Sequence, residues 1–133
     1  MHGNSSSAFS RPRLLLALTV ALAGFCSSAH AAGDAHHGAE VFAENCAECH
    51  SVKEGKNKKG PSLFAIVGRK AATLGDFNYS DALKQGGILW TADRIDAYVT
   101  DPRKAVPGGK MKFDGLASAA ERADLLAYLA TLR

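Results

Sequence analysis

Cys46-Ala47-Glu48-Cys49-His50 places two thiols and an imidazole at the spacing C-x-x-C-H. The chemistry that calls for this spacing is covalent haem attachment: each thiol adds to one haem vinyl group as a thioether, and the imidazole lies under the iron as an axial ligand. Two intervening residues set the sulfurs about one helical turn apart, and the histidine follows on the macrocycle face. Other uses of the string ask for more than the chain supplies. A structural zinc site wants four ligands, usually from a second Cys/His pair, and no such pair follows. A thioredoxin-like redox motif wants a strand before it and a helix after it, whereas a helical pattern precedes this one.

An iron that carries electrons rather than binding gases needs a second axial ligand, from methionine, histidine or lysine. The loop Pro107-Gly108-Gly109-Lys110-Met111-Lys112-Phe113 offers Met111, flanked by lysines rather than core residues. Its glycines and proline suit a backbone held close to a flat ligand. His36 and His37 are the rivals, but they fall two or three helical turns before Cys46 and read as solvated surface histidines.

The N-terminus supports the motif. Arg11 and Arg13 precede an apolar run from Leu14 to Phe25, and Ala29-His30-Ala31 supplies an A-x-A cleavage signal. Residues 1–31 therefore read as a secretory signal peptide, cut after Ala31. The run is shorter than the roughly twenty residues of a membrane span, so no stable insertion is expected after the signal leaves. Bulky Phe25 before Cys26 disfavours a lipid anchor, and Pro12 between the arginines disfavours a twin-arginine signal. Cys26 and Met1 depart with the signal, leaving Cys46, Cys49 and Met111. Haem is attached outside the cytoplasmic membrane in bacteria, so the export signal and the haem motif corroborate each other and point to the periplasm.

The mature domain, 32–133, has 102 residues, a length at which an apolar core alone is marginal and a buried cofactor body helps. Removing Arg11 and Arg13 leaves 14 basic against 13 acidic side chains, so net charge says little and distribution says more. Lys53, Lys56, Lys58 and Lys59 crowd the stretch after the haem motif; Arg103, Lys104, Lys110 and Lys112 gather near Met111. Acids lie mostly elsewhere, giving a dipole. The basic residues lack interleaved aromatics and the chain is exported, which argues against nucleic acid.

Three helices must position these groups. Asp34 caps the first, with Ala35, Ala39, Phe42 and Cys46 recurring at three or four residues up to the haem motif. Thr91 caps the second, Ala92 to Asp101, which buries Ile95, Tyr98 and Val99 before Pro102 stops it. Ser118 and Glu121 form a capping box for the third, whose Leu125, Leu126, Leu129 and Leu132 make a packing stripe. A shorter helix follows Ser80, and no stretch alternates as a strand does. The expected fold is all-α.

Over essentially the whole mature chain the sequence resembles the class I c-type cytochromes, the soluble type shared by mitochondria and bacterial periplasms. The resemblance rests on Gly38 and Phe42, Cys46 to His50, Gly60-Pro61-Ser62-Leu63, Gly68-Arg69, Phe77 to Ala82, Trp90, Tyr98, Pro107 to Met111 and Glu121 to Leu125. It implies three main helices, short helices and loops wrapped round one covalent haem c. It also implies that Pro61 accepts a hydrogen bond from His50, that Arg69, Tyr79 and Trp90 surround the inner haem propionate, and that Tyr98 hydrogen-bonds near the Met111 sulfur. Gly38 would let the first and last helices cross closely. Departures are Leu83 where an asparagine is usual, Asn57 for a histidine, Gly109 for a threonine, and one residue fewer between His50 and Pro61.

The expected activity is an electron shuttle, with no substrate transformed. His50 and Met111 hold the iron, and Lys56, Lys59, Lys104, Lys110 and Lys112 steer a monomeric protein to acidic patches on membrane redox complexes, such as a cytochrome bc complex and a terminal oxidase or photosynthetic reaction centre. An open site without Met111 would instead bind nitric oxide or reduce peroxide, but no acid-base histidine lies near Met111 to support peroxidase chemistry. A haem module docked permanently to an enzyme complex is the third alternative.

Overall fold

The computed structural model describes Gly3 and residues 32–133, so the signal expected over 1–31 lies, Gly3 apart, outside the described residues. The first helix, α1 (Ala35–Asn45), starts where the Asp34 carboxylate accepts the free amides of His36 at 2.8 Å and His37 at 3.4 Å. It buries Val41 and Phe42, and ends as the Cys46 amide donates to the Phe42 carbonyl. The first haem-motif cysteine is thus the residue that closes the helix.

The C-terminal helix, α5 (Ala119–Thr131), is capped by the Ser118 hydroxyl, which accepts the Glu121 amide. Its Leu125 and Leu129 are each only 2% exposed, and the Phe42 and Tyr128 rings lie 5.8 Å apart between α1 and α5. The two helices meet at Gly38, where a Cβ would sit 1.9 Å from the Asp124 carbonyl oxygen. The close crossing that the resemblance implied is present, and it leaves no room for a side chain.

Between them, Ser80 caps α2 (Asp81–Gln85) and Thr91 caps α3 (Ala92–Thr100). Of the residues expected to be buried on α3, Ile95 is fully buried, whereas Tyr98 and Val99 are partly buried, packed against the core and also lining a cavity. Pro102 does stop α3, one residue earlier than expected, and then starts a four-residue helix, α4 (Pro102–Ala105), that the sequence pattern had not suggested. Proline serves at a first helical position because no backbone donor is needed there, and the Asp101 carboxylate caps the turn. The one β contact among the described residues is an isolated bridge between Lys70 and Leu89. The fold is all-α, and no helix of the described residues is long and apolar enough to cross a membrane.

His37 is exposed, as the sequence suggested, and in addition has a carboxylate partner. Its Nδ1 lies 2.7 Å from a carboxylate oxygen of Asp124, whose other oxygen accepts the Asp34 amide, so the start of α1 is pinned to α5. The hydrogen bond to Asp124 raises the His37 pKa above its ordinary 6.5 and lowers that of Asp124 below its ordinary 3.8. A raised histidine stabilises fully below its ordinary value and ceases to do so as pH rises through the raised one; a lowered carboxylate ceases to stabilise as pH falls through the lowered value. Thermal melts should therefore separate wild type from His37→Ala most at about pH 5.5, with the gap narrowing by about pH 9. An equal gap at both would show the pair contributes no charge-dependent stability.

Candidate haem site

The end of α1, the loop that follows it, α3, α5 and the loop after α4 enclose a cavity of about 610 Å³, a size usual for sites of small molecules and cofactors. Leu63, Ile66, Ile95, Leu125 and Leu129 give it apolar walls. Cys46, Cys49 and His50 enter from the end of α1, and Met111 lines the same space from the loop sixty-one residues later. Residues far apart in sequence are brought together because α5 fixes α1 on one side while packing against α3 on another.

The imidazole orientation is set by its outer nitrogen. His50 Nδ1 lies 2.7 Å from the Pro61 carbonyl oxygen, and since a carbonyl can only accept, Nδ1 carries the proton. Nε2 then keeps its lone pair, with no partner among the described residues. Burial lowers the His50 pKa, favouring this neutral form, the one that ligates metals. Gly60 completes the positioning: a Cβ there would lie 2.4 Å from His50 Cε1, so only glycine lets the chain pass the ring at this distance. Sequence reading had placed Gly60 in a motif without giving it a role, because a lone glycine has no pattern that names its neighbour.

The two thiols are free of any disulfide. Burial pushes the Cys46 thiol up to about 11, so this sulfur is mostly protonated at neutral pH. Among the described residues no three His, Cys, Asp or Glu side chains converge as a metal cluster. The arrangement suits a planar group bonded through both sulfurs far better than a zinc ion or a redox dithiol.

The remaining expected residues divide. Pro61, Arg69, Tyr79, Trp90 and Tyr98 all line the cavity. Trp90 and Tyr98 pack with ring centres 5.0 Å apart, and Tyr79 meets Phe77 edge-on at 4.8 Å. Arg69 donates to the carbonyls of Phe64 at 2.8 Å and Ser62 at 2.7 Å; part of its guanidinium therefore braces the loop after Pro61, leaving its other N–H groups for an anion. Lys59, Lys110 and Lys112 lie at the cavity, whereas Lys56 and Lys104 are exposed away from it. The Lys59 ammonium is 2.5 Å from Glu48, so its charge is partly matched within the motif itself. Lys58 donates to the Ala47 carbonyl. Asn57, one of the departures, accepts the Ser62 amide at 2.9 Å and pins this shortened loop; Leu83 adds an apolar wall to the cavity.

Comparison with known proteins agrees with this geometry. Residues 35–133 match the family model described as Cytochrome c. The chain is 47% identical over 100 residues to a cytochrome c of Gibberella zeae, an alignment that covers 74% of this chain and 94% of the relative. It is 44% identical over 98 residues to a cytochrome c of Arabidopsis thaliana, covering 73% and 88%. It is also 47% identical over 100 residues to the cytochrome c-type cyt cy of Rhodobacter capsulatus, covering 75% of this chain and half of that longer protein. The match runs through both thiols, the imidazole and the methionine loop, and on it the chain belongs to the cytochrome c family, a haem-binding electron carrier rather than an enzyme, whose cofactor is covalent haem c.

Proposed function

We propose that this chain is an exported, monomeric carrier of single electrons in a bacterial periplasm, its first 31 residues removed as a signal peptide. Haem supplies the one-electron iron couple; the protein supplies its attachment, ligation and surroundings. Cys46 and Cys49 would anchor it, and His50 Nε2 and Met111 would ligate its iron. Arg69, Tyr79 and Trp90, which line the cavity, would surround the inner propionate, and Tyr98 would hydrogen-bond near the Met111 sulfur. The observation that carries this reading is a single apolar cavity shared by an imidazole with its Nε2 lone pair unengaged and by Met111. Met/His ligation raises the reduction potential. Retention of both ligands through the oxidation change would favour fast transfer over chemistry on a substrate.

Electrons pass between membrane redox complexes, a cytochrome bc complex and a terminal oxidase or photosynthetic reaction centre, docked through Lys56, Lys59, Lys104, Lys110 and Lys112. Such steering weakens as salt brings the screening length to about 8 Å at physiological strength. The oxidation rate by a membrane oxidase should fall as ionic strength rises, with Lys110→Glu slowing it at low salt. A rate independent of salt would remove the docking role of these lysines.

A further inference from the structure

We propose that Arg122 is a positioning residue that holds the Met111 loop against the helices presenting His50; this rests on the His50/Met111 pairing proposed above. The loop is poorly held along its own length. From Lys110 to Asp114 no backbone amide donates a hydrogen bond to another backbone group; backbone bonds tie the loop only at its two ends, and between them stand an exposed Arg103–Asp114 contact at 3.3 Å and the packing of Phe113. At the start, the Gly109 amide donates to Val106. At the far end, the Leu116 amide donates to the Val99 carbonyl at 2.8 Å, and the Gly115 Cα lies so close to α3 that a Cβ would meet the Thr100 carbonyl oxygen at 2.1 Å.

Arg122 fastens that far end. From α5 its Nη1 donates to the carbonyls of Leu116 at 2.8 Å and Ala117 at 2.9 Å, while its Nε donates to the Asp96 carboxylate on α3 at 2.8 Å. The Arg122 side chain is only 14% exposed, while Asp96 is 42% exposed; the bonds to Leu116 and Asp96 are part-buried and that to Ala117 is exposed, so the Leu116 bond is the best shielded of the three. One guanidinium thereby joins three segments: α5, which packs on α1 and so on the haem motif; α3, which carries Tyr98; and the loop that carries Met111. Without it Leu116 keeps its amide bond to Val99 but the Leu116 and Ala117 carbonyls lose their brace to α5 and α3, so the far end of the loop opens more readily and conformations in which Met111 is withdrawn gain weight. Arg122 touches no part of the cavity itself; it acts through the loop.

The test uses the haem-loaded full chain as wild type, Arg122→Ala, Arg122→Lys and Asp96→Asn. Two readouts are followed: the rate at which cyanide displaces the far-red sulfur-to-iron band of the oxidised protein, and hydrogen exchange of the Leu116 amide. Arg122→Ala should speed both by about tenfold or more, the effect of losing charged hydrogen bonds. Arg122→Lys, unable to fork between two carbonyls and a carboxylate, should fall between it and wild type. Asp96→Asn, which leaves α5 and both carbonyl bonds intact, should give a smaller acceleration of both and decides the matter if Arg122→Ala does not fold. Wild-type rates in a folded Arg122→Ala, or in Asp96→Asn where that variant decides, would overturn the proposal. Absence of the far-red band in wild type would instead strike the His50/Met111 pairing, and Leu116 exchange would still judge Arg122.

Discussion

Met111→Ala is expected to abolish the far-red sulfur-to-iron absorption of the oxidised protein, make it high-spin, and let cyanide bind without the lag of displacing a protein ligand. Its reduction potential is expected to fall, inside the roughly 0.8 V span that axial ligands cover. The effect is large because Met111 is the only methionine among the described residues and no histidine there lies free to replace it: His37 is engaged with Asp124, and His36 stands on the exposed start of α1. Attachment through Cys46 and Cys49 and the His50–Pro61 hydrogen bond do not depend on the loop. Haem content and the reduced protein's binding to the His50 side should therefore persist, and an optical spectrum with a redox titration checks all of these together.

Gly38→Ala is expected to destabilise the fold markedly, although it adds a single methyl group. An alanine in a helix interior normally gains about 1 kcal/mol over glycine, and here that gain is overwhelmed. The added Cβ would stand 1.9 Å from the Asp124 carbonyl oxygen and 2.8 Å from the Tyr128 Cβ, and main-chain atoms of α5 cannot swing aside as a flexible side chain would. Overpacking typically costs about 1–3 kcal/mol and occasionally more; a clash with main-chain atoms belongs at or above the top of that range, so after the propensity gain a net loss of about 2 kcal/mol or more is expected. A domain of this size has about 5–15 kcal/mol in all. Guanidinium unfolding measures the loss, with Ala39→Gly on the neighbouring position as the control for propensity alone.

Much of the site was legible in the sequence because its chemistry is compressed into local strings. C-x-x-C-H states its own ligand spacing, and a lone methionine between lysines in a glycine-rich loop has few other uses. Helix starts were legible for the same reason: Asp34, Ser80, Thr91 and Ser118 each cap within three residues of themselves. What was hidden depends on partners distant in the chain. The Gly60 Cα beside the His50 ring, the fork of Arg122 over Leu116 and Ala117, and His37 on Asp124 are each defined by a neighbour that no local period announces. Tyr98 and Val99 pack on the core as their stripe suggests, but a helical stripe does not report that the same face also lines a cavity. Arg69 shows the limit of resemblance, because part of its guanidinium is held by the carbonyls of Ser62 and Phe64 before any anion is considered.

The most direct test of His/Met ligation in a closed electron-carrying site is the visible spectrum of the oxidised, haem-loaded protein, before and after cyanide. A low-spin spectrum with a far-red sulfur-to-iron band, lost only slowly on adding cyanide and regained on removing it, is the result that closed ligation by His50 and Met111 predicts. A high-spin oxidised spectrum that lacks the band and takes up cyanide at once would contradict it.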